Sequence, residues 1–304
     1  MKSEFVIGTR GSLLARSQTE LVAAALRSAF GDVAFRVVTV RTSGDAIADQ
    51  ALHAVGGKGL FTKELEDALA DRRIDLAVHS LKDLPTQFPR GLVLGAVPTR
   101  EDPRDALIGP DISQLQSKKE LTIGTCSLRR AAQLRRLFPH VRIVDLRGNL
   151  DTRLKKVSDA AVDAAVLAVA GLRRIGLADR ISHTFAPDQM LPAPGQGALA
   201  VEIRADDPNA AELVHTIHCP RSFACVTAER EVLRRLEAGC HAPLGALAEV
   251  GDGQLRLRAR VLSLDGRRCC ETQVEGSLDR PTEIGGEAAA RLLEAGAAEF
   301  LNGS

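Results

Sequence analysis

Strand-like and helix-like segments alternate along the first 200 residues, and this alternation limits the possible folds more than any other feature of the sequence. Glu4–Thr9 alternates as a strand does, Leu13–Phe30 has helical apolar spacing, and Phe35–Arg41 is rich in β-forming residues. Ser12 is placed to cap the helix and Gly31 to end it. This order predicts an α/β fold with a mostly parallel sheet and helices on both of its faces.

The alternation continues through two blocks. The first block has further predicted elements at Leu60–Ala70, Asp75–His79 and Leu92–Val97. The pattern restarts after Pro103, with predicted elements at Leu121–Thr125, Leu128–Leu137, Val141–Asp145, Leu150–Val157 and Ala164–Val169. A last strand, Ala198–Ile203, is expected to complete the first sheet. We therefore predict two α/β lobes around a cleft, residues 1–98 with 198–216 and residues 103–192, in the layout of periplasmic binding proteins.

The end of the chain has a different pattern. A predicted helix, Phe223–Glu237, precedes three alternating strands and a final helix at Ala246–Val250, Leu255–Leu262, Arg268–Val274 and Glu283–Leu301. This order predicts a smaller C-terminal α+β domain with antiparallel strands, residues 219–304.

Composition excludes several classes of function. Trp and Tyr are absent and the net charge is only +1, which argues against a nucleic-acid-binding surface. No apolar run approaches the roughly 18–20 residues that a membrane span needs, and no signal peptide is evident. The six cysteines form no CxxC pair, as expected of reduced thiols in a cytoplasmic protein, and we expect no metal site.

Basic residues concentrate in the second block, at the ends of its predicted strands. Residues 103–191 hold 15 lysines and arginines against nine aspartates and glutamates. Thr125, Ser127, Arg129 and Arg130 lie at one strand-to-helix junction; Arg147 and Arg153 lie at the next and Arg174 follows the third. Ligands of open α/β sheets bind at the carboxyl ends of strands. The arrangement indicates a site for a ligand with several carboxylates or phosphates.

The first block repeats this arrangement with fewer charges. Arg10 and Ser12 follow the first strand, and Gln18 lies two turns into the helix. Lys82 and Asp83 follow another strand, immediately before a proline-stiffened turn. From position alone, Asp83 could act as an acid, as a base or as the stabiliser of a cationic intermediate, and a plain surface ion pair with Lys82 remains an alternative.

One cysteine differs from the others in its setting. Cys240 lies in a loop bounded by Gly239 and Pro243, whereas the other five cysteines lie within or beside predicted helices and strands. A thiol in such a loop can be exposed and reactive. Position alone leaves open whether it reacts.

Ten spaced segments of this sequence together resemble the porphobilinogen deaminases, also called hydroxymethylbilane synthases. The segments run in order from residue 9 to about residue 246: TRGSLLA, VGGKGLFTKELE, DLAVHSLKDLP, REDPRDAL, GTCSLRRAAQL, LRGNLDTRL, LAVAGLRRIGL, LPAPGQGALAVE, VTAERE and LEAGCHAPLGA.

The resemblance implies a transferase of tetrapyrrole (haem) biosynthesis. Such an enzyme joins four porphobilinogen molecules head to tail with loss of ammonia, and water then releases the linear product hydroxymethylbilane. A covalent dipyrromethane cofactor on a cysteine thioether primes the chain, and the LEAGC segment assigns that cysteine to Cys240. The HSLKDLP segment assigns the catalytic aspartate to Asp83.

The resemblance also assigns the binding residues. Those implied for the cofactor, besides Cys240 and Asp83, are Lys82, Thr125, Ser127, Arg129, Arg130, Arg153 and Gly171. Those implied for the substrate are Arg10, Ser12, Gln18, Arg147, Arg153, Arg174 and Gln196. The family implies a monomer with porphobilinogen as its small-molecule partner, acting without nucleic acid or membrane.

A solute-binding protein is the rival interpretation, because two α/β lobes with crossovers also fit that class. It predicts a secretion signal or, for a regulator, a DNA-binding helix-turn-helix, and neither is evident. It also leaves the Cys240 loop without a role.

If one aspartate serves every condensation, the lobes or the growing chain must shift. We therefore predict hinges at Val97–Pro103 and Leu191–Gly197 and a mobile cover at Ala46–Gly57.

Overall fold

The computed structural model describes residues 2–41, 62–117, 121–238 and 242–301. Cys240 and the predicted cover at Ala46–Gly57 lie outside these ranges. The chain forms two compact units, Met1–Glu101 with Ala198–Phe223, and Asp102–Gly197 with Ala224–Ser304. The predicted cleft and the division into three domains stay predictions.

The elements of the first 101 residues follow the predicted order. They are β1 (Glu4–Thr9), α1 (Leu13–Ala29), β2 (Ala34–Thr39), α2 (Lys63–Ala70), β3 (Leu76–Ser80), a 3-10 turn (Leu81–Asp83) and β4 (Leu92–Ala96). Ser12 caps α1 as predicted, because its hydroxyl accepts a hydrogen bond from the Ala15 amide at 3.2 Å. The cap fixes where the chain turns from β1 into the helix.

The next 96 residues contain more elements than the sequence predicted. They are β5 (Asp105–Ile108), α3 (Ile112–Ser117), β6 (Thr122–Gly124), α4 (Leu128–Leu137), β7 (Arg142–Val144), α5 (Leu150–Ser158), β8 (Ala164–Ala168), α6 (Val169–Arg174), a 3-10 turn (Ala178–Arg180) and β9 (His183–Thr184). The bounds of α4 are those predicted. The short strand β5 was missed because an aspartate opens it.

The remainder returns to the first unit and then enters the second again. Its elements are β10 (Leu199–Arg204), α7 (Pro208–His215), α8 (Pro220–Arg235), β11 (Leu244–Gly251), β12 (Gln254–Leu262), β13 (Cys269–Ser277), α9 (Pro281–Glu294) and α10 (Ala298–Leu301). The single final helix of the prediction is wrong. Gly296, at φ +87°, separates α9 from α10 in a left-handed conformation that suits glycine.

Each unit contains a five-stranded sheet, in the orders β2-β1-β3-β10-β4 and β7-β6-β8-β5-β9. The predicted return of the last strand to the first sheet is confirmed, since β10 lies between β3 and β4. The prediction of mostly parallel sheets needs correction, because β10 and β5 each run antiparallel to both neighbours. Each is the first strand after the chain crosses from the other unit, and both sheets are therefore mixed.

Apolar side chains cover both faces of each mixed sheet. In the first unit, Leu26 and Leu213 belong to one buried cluster and Leu65 and Leu69 to another. In the second unit, Leu134 packs in one cluster and Leu154 and Leu172 in another. Burying each such leucine contributes roughly 1.5–3 kcal/mol relative to exposure. The fold class predicted from the alternation, α/β, is confirmed.

The predicted antiparallel module is also present, as the three-stranded sheet β11-β12-β13. Within the second unit it packs closely on α4 and on the segment after β9. A Cβ added at Gly245 would lie 2.7 Å from the Leu191 carbonyl oxygen. Gly266, at φ +76° in the β12–β13 turn, passes so near α4 that a Cβ would lie 2.5 Å from the Ala132 oxygen.

Within the described ranges, no helix is both long enough and apolar enough to cross a lipid bilayer.

Candidate active site

Asp83 and Lys82 lie in the 3-10 turn that directly follows β3 in the first unit. Leu81 and Leu84 are buried on either side of them, and the Leu81 amide donates to the Ala198 carbonyl at 3.0 Å. Lys82 is half-buried and Asp83 is exposed. The turn is therefore anchored by leucines while it presents a carboxylate to solvent at the carboxyl end of a strand.

The predicted binding residues of β1 and α1 lie in the same unit. Gln18 is buried, and its Nε2 donates to the Ser80 hydroxyl at 2.9 Å. This bond joins α1 to the last residue of β3, directly before the turn that carries Lys82 and Asp83. Arg10, half-buried, follows β1, and the hydroxyl of Ser12 is engaged by the helix cap.

In the second unit, the segment before α4 forms a compact hydroxyl-lined junction. The Ser127 amide donates to the Thr125 hydroxyl at 3.1 Å, and the Ser127 hydroxyl accepts from the Arg130 amide at 3.4 Å. Between them, the Cys126 thiol donates to the Leu146 carbonyl at 3.0 Å, and burial raises its pKa. A thiol in that state is a poor nucleophile, which leaves Cys126 a packing role.

Arg129 and Arg130 turn inward from the first turn of α4, and both meet Asp105 of β5. Arg129 Nη1 donates to Asp105 Oδ2 at 2.6 Å, and Arg130 Nη2 donates to Oδ1 at 2.6 Å. Both guanidiniums are about nineteen-twentieths buried, and Asp105 is fully buried. The sequence did not predict this partner.

Gln196 joins the same cluster from the loop before β10. Its Nε2 donates to the Pro103 carbonyl at 2.7 Å and to Asp105 Oδ1 at 3.0 Å, and its Oε1 accepts from Arg130 Nη2 at 3.4 Å. The structure thus brings together three predicted site residues, Arg129, Arg130 and Gln196, around one carboxylate.

The other predicted arginines lie nearer the surface of the second unit. Arg147 is half-buried and pairs with Asp145 at 3.2 Å, and Arg153 Nε donates to the Gly148 carbonyl at 2.8 Å. Arg174 Nη2 donates to the Gly197 carbonyl at 2.6 Å. Each of these side chains is oriented by a backbone or carboxylate oxygen while remaining partly accessible. Gly171 is buried within α6.

The residue that sequence reasoning missed is Asp105. It stood within the REDPRDAL segment, but a charged residue is ordinarily a surface residue. The available signal was its position at the start of the apolar run Ala106–Ile108, which places a carboxylate inside a buried strand. Across the described ranges, no group of three or more His, Cys, Asp or Glu side chains could hold a metal ion.

Two family models and several known proteins match this chain over nearly its whole length. Residues 5–212 match the family model "porphobilinogen deaminase, dipyromethane cofactor binding domain", and residues 223–294 match the model of the C-terminal domain. Porphobilinogen deaminase of Desulforudis audaxviator is 49% identical over 302 residues, covering 99% of this chain and 98% of the relative. Those of Synechococcus elongatus and Thermus thermophilus are 48% and 45% identical, covering 97% of this chain and 94% and 97% of theirs. The chain therefore belongs to the porphobilinogen deaminase family, transferases of tetrapyrrole synthesis with a dipyrromethane-cofactor-binding domain.

Proposed function

We propose that this chain joins four porphobilinogen molecules head to tail onto a dipyrromethane cofactor and releases hydroxymethylbilane by hydrolysis. The observation that carries the proposal is the exposed Asp83 carboxylate beside Lys82, anchored at the carboxyl end of β3. The cofactor is proposed to be attached through the Cys240 thioether, on the strength of the LEAGC segment, because Cys240 lies outside the described residues.

The residues of the second unit fit a cofactor that carries carboxylates. Arg129 and Arg130 share one carboxylate, that of Asp105, which leaves one positive charge among these three buried side chains. The Arg129 Nε is buried and makes no hydrogen bond within the described part of the chain. An anionic group would satisfy both the charge and the donor. When bound, the dipyrromethane supplies a free pyrrole α-carbon to which the first substrate is joined.

Asp83 is proposed to stabilise the cation formed from each substrate. Ammonia leaves the aminomethyl group with the bonding electron pair, and the resulting azafulvenium shares its positive charge with the pyrrole nitrogen. A fixed carboxylate near that N–H lowers the energy of the charge as it develops. After the new carbon–carbon bond forms, the attacked ring loses one proton to restore aromaticity, and Asp83 is proposed to accept it.

Substrate orientation is proposed to depend on cations at the sheet edges. Every porphobilinogen carries an acetate and a propionate, and arginine offers forked donors that stay ionised at all relevant pH values. Arg10 is proposed to orient the substrate from the first unit, and Arg147, Arg153 and Arg174 from the second, while Lys82 is assigned to the cofactor. The hydrogen bonds described above are proposed to orient the polar side chains near these cations, namely Ser12, Gln18, Thr125, Ser127 and Gln196.

The direct test measures ammonia release and hydroxymethylbilane formation from porphobilinogen. Asp83→Asn keeps the size of the side chain but removes its charge, and turnover is expected to fall by about 10²–10³. Asp71→Asn is the matched control, since Asp71 is an exposed aspartate of the same unit paired only at its surface with Arg73. Near-normal turnover in Asp83→Asn would assign the charge stabilisation to another group.

Cofactor attachment is tested by intact mass. The purified protein is expected to exceed its chain mass by one two-ring unit, and Cys240→Ser is expected to remove the excess. Cys126→Ser is the control, because a serine hydroxyl can make the same bond to the Leu146 carbonyl and should leave the excess intact. The bare chain mass in an active preparation would contradict the attachment.

A further inference from the structure

Asp105 is a buried carboxylate to which neither the sequence nor the family assignment gave a role. It opens β5, where the chain enters the second unit, and its side chain is fully buried. Three further hydrogen bonds from side chains of α4 and the loop before β10 add to the two short ones already described. Arg130 Nε donates at 2.9 Å and Gln196 Nε2 at 3.0 Å, both to Oδ1, while Arg129 Nη2 lies 3.4 Å from the same oxygen.

The carboxylate accepts hydrogen bonds from two guanidiniums, each of which also donates to a backbone carbonyl. Arg129 reaches Oδ2 and also donates to the Leu191 carbonyl at 2.8 Å. Arg130 reaches Oδ1 through two nitrogens and donates its third to the Val166 carbonyl at 3.0 Å. Since a guanidinium is planar and rigid, two such bonds determine its orientation. Removing Asp105 would leave each arginine one backbone contact and freedom to rotate.

The charges in this cluster do not cancel. Arginine stays protonated in proteins, so the two guanidiniums carry two positive charges. Burial raises the pKa of the Asp105 carboxyl, but Arg129 and Arg130 lower it by a larger amount. The resulting pKa lies well below the usual range for an aspartate. The carboxylate therefore supplies one negative charge. A buried charge without a counter-ion is costly, which favours binding of one further anion.

We propose that Asp105 is a positioning residue that orients Arg129 and Arg130 and leaves them one positive charge, matched to a single carboxylate of the dipyrromethane cofactor. This inference rests on the proposed function, which assigns both arginines to the cofactor. Asp105 itself touches neither cofactor nor substrate in this role. It makes the site specific for one carboxylate at this point, because a doubly charged cluster would have to bind two.

The first unit provides a matched control for a purely structural role. Asp75 is buried like Asp105, accepts from Arg204 Nη2 at 3.2 Å and pairs with Lys2 at 2.7 Å. Asp105→Asn removes the counter-ion of two buried guanidiniums. Asp75→Asn removes one of the two carboxylates that pair with buried Arg204, which keeps Asp207, and the partner of Lys2. Both variants are therefore expected to unfold at lower temperature. Only Asp105→Asn is expected to affect the cofactor.

The experiment purifies wild type, Asp105→Asn and Asp75→Asn and measures thermal unfolding and intact mass. The chain without cofactor is then incubated with porphobilinogen well below the unfolding midpoint, and the gain of the two-ring mass is followed in time. Loading of Asp105→Asn is expected to be slower by about tenfold to a hundredfold, the effect of losing a charge-assisted hydrogen bond. Asp75→Asn is expected to load at the wild-type rate.

A double variant keeps the test decisive if Asp105→Asn fails to fold. Asp105→Asn with Arg130→Gln restores the cluster to one positive charge and is expected to recover folding but to load slowly, since Arg129 has lost its orienting partner. Wild-type loading by either Asp105 variant, or equally slow loading by Asp75→Asn, would overturn the inference. Absence of the two-ring mass from wild type would instead overturn the proposed function.

Discussion

Gln133 offers the sharpest stability test, because its buried side-chain amide holds Leu191 in the segment between β9 and β10. Its Oε1 accepts from the Leu191 amide at 2.7 Å, and its Nε2 donates to the Leu191 carbonyl at 3.0 Å. The same Oε1 accepts from Arg260 Nη1 of β12 at 3.1 Å. The side chain is 1% exposed. One residue of α4 therefore ties together two other parts of the second unit.

Gln133→Met tests this role with little change of volume. The Leu191 amide would be left buried without an acceptor, while its carbonyl would keep the bond from Arg129. An unsatisfied buried group costs about 1–3 kcal/mol, and the lost Arg260 bond adds about 1 kcal/mol. We expect a total loss of about 2–4 kcal/mol. For a unit of about 150–250 residues this lowers the unfolding midpoint by roughly 4–16 °C.

The measurement is differential scanning calorimetry on preparations whose cofactor content has been matched by intact mass. Gln116→Met is the control, because Gln116 is an exposed residue of α3, and its midpoint should stay within about 1–2 °C of wild type, as surface substitutions usually do. A midpoint for Gln133→Met equally close to wild type would show that water or a rearranged backbone satisfies Leu191, and the reasoning would fail.

Two further predictions concern charge. Arg130→Leu should leave the protein largely without cofactor, whereas Arg10→Leu should load normally and fail to add substrate; intact mass before and after incubation with porphobilinogen distinguishes them, and cofactor-free Arg10→Leu would contradict the division. Burial raises the pKa of Glu66, and nearby Glu202 raises it further. The destabilising charged form is scarce below the ordinary glutamate pKa of 4.5 and accumulates as pH rises through the raised value. Glu66→Gln should therefore raise the unfolding midpoint more at pH 8 than at pH 4.5, and an equal change at the two pH values would contradict this reasoning.

The sequence predicted local structure best where one physical signal acts alone. The apolar spacing of Leu128–Leu137 and the cap at Ser12 specify their helices without help from distant residues. Antiparallel pairing of β10 could not be predicted from spacing, because it depends on where the chain re-enters the sheet. The predicted helix Glu283–Leu301 ran through Gly296, whose left-handed conformation separates α9 from α10.

The candidate site shows a similar division. The types and positions of its arginines follow from the sequence, since they stand at the ends of predicted strands. Their partners do not follow, because Arg129 and Arg130 look like surface residues of an amphipathic helix and become buried only when β5 presents Asp105. Which partners a buried charge meets depends on contacts between segments distant along the chain, and the local signal at Asp105 indicates its burial but not its partners.

The same contacts restrict the predicted hinge at Leu191–Gly197. Leu191 is held by Gln133 on both of its backbone polar groups, the Gly195 amide donates to Glu229 at 2.7 Å, and the Gly197 carbonyl accepts from Arg174. The backbone of this loop is thus bound within the second unit at Leu191, Gly195 and Gly197. Rotation there would break several buried hydrogen bonds at once, each costing about 1 kcal/mol or more.

The other predicted hinge, Val97–Pro103, is restricted by hydrogen bonds within the first unit. The Val97 carbonyl accepts from the Cys219 amide at 2.8 Å, and the Arg100 amide donates to the Ser222 hydroxyl at 3.0 Å, both within the first unit. The chain also passes between the units a third time, inside the continuous helix α8. We therefore expect the hinges to centre on the points where the chain passes between the units, at Glu101–Asp102 and Gly197–Ala198.

Hydrogen exchange on enzyme stalled after one, two and three additions tests this narrower hinge. Amides of residues 191–196 and 97–100 should keep the same protection in every stalled state, because each segment moves with the unit that binds it. Changes should appear at residues 101–103 and 197–198, where the chain passes from one unit to the other. Protection that changes throughout 191–197 would mean that the bonds from Gln133, Glu229 and Arg174 break during elongation, and the broader hinge would then be correct.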